Sequence, residues 1–198
     1  MSDAGVLEEA GAGRAAPRRR HTARWVALAA VVALIAVSIV LATRPSYQAT
    51  LVPSPLVGKP APAVSGTDFA GRHVSLTSYR GRYVFVNFFA SWCPPCQSEE
   101  KDLVAFDFQQ SKAGDGAALV SVVFDDSDTS ARQFVSTWGA TWPTVPDPGG
   151  SIANNYGVGS PPYTFLVNPK GVVVDAFAGP VTVSQLDDWL AIARHGDG

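Results

Sequence analysis

The stretch that most constrains this chain is Phe85–Cys96, FVNFFASWCPPC. An apolar, aromatic-rich run with strand character ends in a tight Cys-Pro-Pro-Cys, and helix-forming sequence follows. Cys93 and Cys96 are the two cysteines of the 198-residue chain. A strand that delivers two thiols to the start of a helix is the arrangement thiol–disulfide chemistry requires. A single CxxC lacks the second pair, or the His pair, of a structural zinc site. As a purely structural cross-link it would restrain the unfolded chain by only about 2 kcal/mol, because the closed loop is so short.

The surroundings of this stretch place it. Residues 1–44 carry six Arg against Asp3, Glu8 and Glu9, a net +3; residues 45–198 carry nine Lys/Arg against fourteen Asp/Glu, a net −5. The larger part is therefore mildly acidic and unsuited to nucleic acid, which needs a basic face. Between the two halves, Trp25–Ala42 runs uncharged with Ser38 as its one polar residue. As a helix it is roughly 27 Å long, about the thickness of a bilayer core. Residues 1–24 then read as a basic cytoplasmic tail and 25–43 as a single transmembrane anchor. The Arg cluster Arg14, Arg18, Arg19, Arg20 and Arg24 lies on the inner side, so everything after the anchor faces outward. The competing reading is a cleaved signal peptide, whose apolar region is usually shorter, about 7–15 residues. Residues 44–56, with Pro45, Pro53 and Pro55, are expected to be an extended tether, and 57–198 the folded domain.

Within that domain the pattern predicts a hairpin over Val64–Leu76 turning near Gly71, and a strand at Tyr83–Ala90 that is apolar on both faces, as in the middle of a sheet. It predicts a helix from Pro94 to Lys112 with Leu103, Val104, Phe106 and Phe108 on its apolar face. A buried strand follows at Ala118–Phe124 and a helix at Ser130–Trp138. Thr141–Gly159 is expected to be loop-rich with a helical turn at Ile152–Tyr156. Strands at Tyr163–Val167 and Val172–Ala178 are joined by the turn Asn168-Pro169-Lys170-Gly171. Thr182 and Gln185 form a capping box opening a last helix, Ser184–Arg194. This order gives an α/β fold whose parallel portion begins at the cysteine-bearing strand.

The attacking species in disulfide exchange is a thiolate, and free cysteine has a pKa of about 8.5. At a helix N-terminus Cys93 meets free N–H groups and the positive end of the dipole; Cys96, one turn on, is placed to resolve the mixed disulfide. Pro94 and Pro95 suit the first turn but remove two donors to the Cys93 sulfur. Less stabilisation of the thiolate implies a more reducing couple. Trp92 is expected to shield the pair and contact substrate; Trp138, Trp142 and Trp189 are expected to pack, and Trp25 to anchor at the membrane interface. His21, His73 and His195 lack partner spacing, so neither a metal nor a cofactor is expected.

Trp92-Cys93-Pro94-Pro95-Cys96 after a strand resembles a thioredoxin-fold active site. The segment Tyr156-Gly157-Val158-Gly159-Ser160-Pro161-Pro162-Tyr163-Thr164-Phe165 is similar to the "YGV-x-G-x-P-x-TF" segment of that fold. With the hairpin, the run Asn87–Ser91 and the anchor, the resemblance is to the extracytoplasmic TlpA/ResA-type thiol–disulfide oxidoreductases, over roughly 57–195. It implies a thioredoxin-like fold, a central mixed sheet flanked by helices with an N-terminal β-hairpin, preceded by a single transmembrane helix. It implies Cys93, Cys96 and Glu99 as catalytic residues, with Glu99 as general base because Asn87, at the position of the buried Asp of cytoplasmic thioredoxins, cannot take a proton. Trp92, Pro161 and Pro162 are the implied substrate-binding residues, with Pro162 the cis-proline; Pro161 departs from the pattern in having no N–H to offer a substrate strand. The implied partners are a disulfide-containing exported protein, apocytochrome c among the options, and a membrane thiol-electron donor. A disulfide-forming oxidant is the first alternative, and a copper metallochaperone the second.

Overall fold

A computed structural model describes residues 19–42 and 48–196. The chain divides into two units, 1–46 and 47–198, described separately. In the first, α1 (Arg19–Ala42) contains an 18-residue span, Arg24–Leu41, long and apolar enough to cross a membrane. Its large apolar side chains are exposed, Trp25 at 70%. Residues 1–18 of the expected basic tail and 43–47 lie outside the described residues.

The second unit is built on a six-stranded mixed sheet. Its strands are β1 (Thr50–Leu51), β4 (Val84–Phe89), β5 (Ala118–Val123), β6 (Thr144–Val145), β7 (Tyr163–Val167) and β8 (Val173–Ala178), in the order β1-β8-β7-β4-β5-β6. β2 (Ser65–Thr67) and β3 (His73–Ser75) pair as a second, two-stranded sheet that meets β6 through the Phe69 N–H donating to the Thr144 carbonyl at 3.2 Å. Four α-helices and a short 3-10 helix (Leu76–Tyr79) complete the unit, the α-helices being α2 (Pro94–Lys112), α3 (Asp128–Trp138), α4 (Ser151–Tyr156) and α5 (Val183–Gly196). β4 is central, parallel to β5 and antiparallel to β7, and all six of its residues are buried. This is why its sequence is apolar on both faces rather than alternating.

Strand alternation sends β4 side chains into two cores. Val84, Val86 and Phe88 pack with Val120, Phe165 and Tyr156. Phe85 packs on the other face with Leu103 and Phe106 of α2, Leu186 and Leu190 of α5, and Phe177; its ring meets Phe106 edge-on at 5.3 Å. Asn87 shares the parity of Phe85 and so is directed toward the α2 side. Thr164 of β7 sits opposite Asn87 in register.

Two short strands departed from expectation. Thr50–Leu51, within the stretch expected to be a tether, pairs with Phe177–Ala178 at the sheet edge, and Ala49 is buried. A two-residue edge strand among prolines has too little pattern to register as alternation. Thr144–Val145 extends the sheet beyond β5 from inside the expected loop, bounded by Pro143 and Pro146. The apolar face of α2 also differs from expectation: Leu103 and Phe106 are buried, whereas Phe108 is 64% exposed with the Lys112 ammonium 5.3 Å from its ring. The actual buried stripe is Cys96, Glu99, Glu100, Leu103 and Phe106, a three- and four-residue spacing that includes two acids. Trp142 and Trp189 pack as expected, the former donating to Ser121 Oγ at 2.7 Å and the latter stacked on Phe177.

Local signals account for the turns. Asp68 Oδ1 accepts from the N–H groups of Ala70 and Arg72, closing the β2–β3 turn, and Gly71 there adopts φ +80°, a conformation open to glycine without steric cost. At the start of α5, Thr182 N–H donates to Gln185 Oε1 and Gln185 N–H to Thr182 Oγ1, the reciprocal box predicted from the sequence.

Candidate active site

The site is at the C-terminal end of β4, where the chain turns into α2. Cys93 is the N-cap residue, with extended backbone, and Pro94 and Pro95 occupy the first two helical positions. The first N–H the helix has left to offer is that of Cys96, and it donates to Cys93 Sγ at 3.2 Å. Cys93 and Cys96 form a disulfide with their Cα atoms 5.3 Å apart. Cys96 is fully buried and Cys93, 3% exposed, is the more accessible residue of the pair. Trp92 beside it is 54% exposed, on the surface and not in the core.

The cis peptide bond lies between Pro161 and Pro162. Tyr163, which follows at once, pairs with Phe88 of β4, so Pro161 and Pro162 lie at the same end of the sheet as the cysteines. Pro162 is buried and Pro161 partly exposed. His73 on β3 and His195 in the last turn of α5 belong to other parts of the domain.

Glu99 lies one turn past Cys96 and is 1% exposed, so it is not a solvated surface carboxylate. Its Oε1 accepts from Asn87 Nδ2 at 3.0 Å and its Oε2 from the Val181 N–H at 2.9 Å. Asn87 Nδ2 also donates to Thr164 Oγ1 at 3.1 Å. Thus β4, β7 and the segment before α5 all converge on one carboxyl. Burial is the largest influence and pushes Glu99 up to about 8, with the neighbouring Glu100 and Asp102 carboxylates adding to the rise. The Val181 and Asn87 donors oppose it without prevailing. A carboxyl poised near neutrality is suited to taking and returning a proton.

Sequence reasoning missed two features. Glu100, 2% exposed, is a second buried acid on α2, pushed up to about 8 by burial; its spacing of four from Cys96 was the available signal. Asn87 cannot replace a base, but it donates to Glu99 through a contact between β4 and α2 that no local pattern encodes. The Asn87 Oδ1, fully buried, has no hydrogen-bond partner among the described residues.

Comparison with known proteins agrees with this geometry. Residues 57–176 match the family model described as the AhpC/TSA family. The chain is 33% identical over 135 residues to the thiol-disulfide oxidoreductase ResA of Bacillus anthracis, covering 68% of this chain and 76% of that one. To ResA of Bacillus subtilis it is 31% identical over 140 residues, covering 71% and 77%. Among solved structures, StoA from Bacillus subtilis superposes with a TM-score of 0.57 at 26% identity, covering 69% of this chain and 99% of that one. A putative thiol:disulfide interchange protein DsbE from Chlorobium tepidum gives 0.58 at 27%, covering 68% and 94%. With its bonded Cys93–Cys96 pair at the head of α2, the chain belongs to the AhpC/TSA family and is a thioredoxin-like thiol–disulfide oxidoreductase of ResA type.

Proposed function

We propose that this oxidoreductase works as a reductant of disulfides in exported proteins, held at the outer face of the membrane by residues 25–43 with its N-terminus in the cytoplasm. The observation that carries the reading is the bonded pair at the N-terminus of α2 with a buried Glu99 one turn away. In the reduced state the Cys93 thiolate attacks one sulfur of the substrate disulfide, and the other sulfur leaves as a thiolate that takes up a proton. Cys96 then gives its proton to the ionised form of Glu99, which the folded chain populates increasingly as pH approaches 8, and attacks Cys93 Sγ. The second substrate thiolate is released and the Cys93–Cys96 disulfide closes, two electrons having passed to the substrate. A membrane protein bearing a dithiol returns those electrons by the same exchange run on Cys93. In this reading Trp92, Pro161 and Pro162, at the same end of the sheet as the cysteines, meet the substrate, and Ser91, Gln97, Phe134 and Trp138 line a cleft of about 350 Å³ able to seat chain flanking the substrate cysteine.

The reductive direction is supported by Pro94 and Pro95, which leave Cys93 Sγ a single backbone donor from its own helix. Apocytochrome c is the substrate we put first. The test is trapping with Cys96→Ala, which stops the reaction at the mixed disulfide, followed by identification of the chain bonded to Cys93. Equilibration of the wild-type pair with glutathione decides the direction: a couple more oxidising than glutathione would turn the reading to disulfide formation.

A further inference from the structure

The turn that presents Cys93 is held at each of four polar positions. Ala90 C=O accepts from the Cys93 N–H at 3.2 Å, closing a β-turn over Ser91 and Trp92. The Ser91 N–H donates to Asp126 Oδ2 at 2.7 Å, and the Ser91 carbonyl accepts from Gln97 Nε2 at 2.8 Å. The Trp92 indole N–H donates to the Asp125 carbonyl at 3.0 Å. Two of these four contacts come from consecutive residues of the loop between β5 and α3. Asp125 has φ +42° and is the one non-glycine residue with positive φ among the described residues. A left-handed residue costs conformational energy and is retained where the surrounding structure demands its direction; here Asp125 carries the carbonyl that holds Trp92. Asp126 also accepts from the Ser127 N–H through Oδ1 at 2.8 Å, which fixes its carboxylate in place.

We propose that the β5–α3 loop is a clamp on the reactive turn, in which Asp126 is a positioning residue for Cys93, acting through the Ser91 N–H and through its charge. The inference rests on the reading of Cys93 as the attacking thiol. The geometry has an electrostatic consequence. A carboxylate bonded to the first turn residue lies about 8 Å from the sulfur two residues on, within a Debye length of about 10 Å. Its charge opposes the helix N-terminus and disfavours the Cys93 thiolate, the same direction as the double proline. The other charged groups on the surrounding elements are Asp125 on the same loop, Asp147 across the cleft it shares with Asp126, Asp128 and Arg132 on α3, and Glu99, Glu100, Lys101, Asp102, Asp107 and Lys112 on α2. Arg132 keeps its charge, but its guanidinium donates to the Phe69 carbonyl and lies 4.5 Å from the Phe69 ring, held against the β2–β3 turn. The cis-proline segment Ser160–Tyr163 contributes no charged side chain.

The experiment titrates the Cys93 thiolate by its ultraviolet absorbance in the full chain, in a Cys96→Ser background so that one thiol reports. Asp126→Asn removes the charge and keeps one acceptor oxygen, enough for the Ser91 N–H but not also for the Ser127 N–H; the Cys93 acid dissociation constant should rise roughly threefold, the size of a unit charge at that separation in high dielectric. Asp126→Ala should give the same shift and also release the turn, seen as exchange broadening of the Trp92 indole N–H resonance. A thiolate titration unmoved in both variants overturns the proposal, as does an Asp126→Asn shift toward higher pH. No substrate enters the measurement, so failure of the clamp and failure of the reductase reading are separate results.

Discussion

The buried carboxyl of Glu99 makes a quantitative prediction about stability against pH. In the folded chain its pKa is raised to about 8 from an ordinary 4.5. The native state therefore holds a proton between these values that the unfolded chain has lost, and stability falls as pH rises through that window. The contribution is fully present below the lower value and gone above the upper one. At 1.36 kcal/mol per unit the window is worth at most about 5 kcal/mol. Water penetration and relaxation around a buried charge reduce this, and about 2–4 kcal/mol is expected. Glu99→Gln removes the titration. It also places an amide where two donors, Asn87 Nδ2 and the Val181 N–H, each require an acceptor oxygen, a pH-independent loss of about 1–2 kcal/mol. The two stability curves should therefore cross: the variant less stable than wild type near pH 5 and more stable near pH 9. Urea unfolding of the oxidised protein at intervals across this range measures it. Parallel curves would refute the reasoning, because they would mean that Glu99 titrates in the folded protein as it does in the unfolded chain.

The same substitution should slow resolution of the mixed disulfide by about 10²-fold or more at neutral pH, read as thionitrobenzoate release from Cys93; unchanged single-turnover rates would remove Glu99 from the chemistry. Glu100→Leu, which replaces a buried acid by an apolar side chain of similar length, should stabilise the fold by about 1–3 kcal/mol above pH 8, measured in the same urea series. Pro95→Ala restores a backbone donor in the first turn of α2 and should make the couple more oxidising on equilibration with glutathione. Phe85→Ala empties a fully buried site against Phe106 and should cost about 3–5 kcal/mol in thermal or denaturant unfolding while leaving the disulfide able to form.

Much of the architecture was legible in the chain because it rests on local pattern. The apolar run of β4 marked a central strand, the prolines and following helix formers marked the start of α2, and Thr182 with Gln185 marked the start of α5. Turn chemistry at Asp68–Arg72 and Asn168–Gly171 placed both hairpins. β1 and β6 escaped notice because two residues cannot display a period; their pairing depends on where β8 and β5 present an open edge.

The candidate site divides in the same way. Cys93, Cys96 and their order along a helix follow from four consecutive residues, and with them the capacity for disulfide exchange. The proton affinity of Glu99 does not, since it arises from desolvation when α2 packs on the sheet and from donors 12 and 82 residues away in sequence. The hold of Asp125 and Asp126 on Trp92 and Ser91 likewise spans 33 and 35 residues. Sequence by itself determined which residues carry the bonded sulfurs and that an apolar helix precedes them. Tertiary structure decided how those atoms are tuned, because hydrogen-bond partners and dielectric surroundings exist only once distant segments have been packed together.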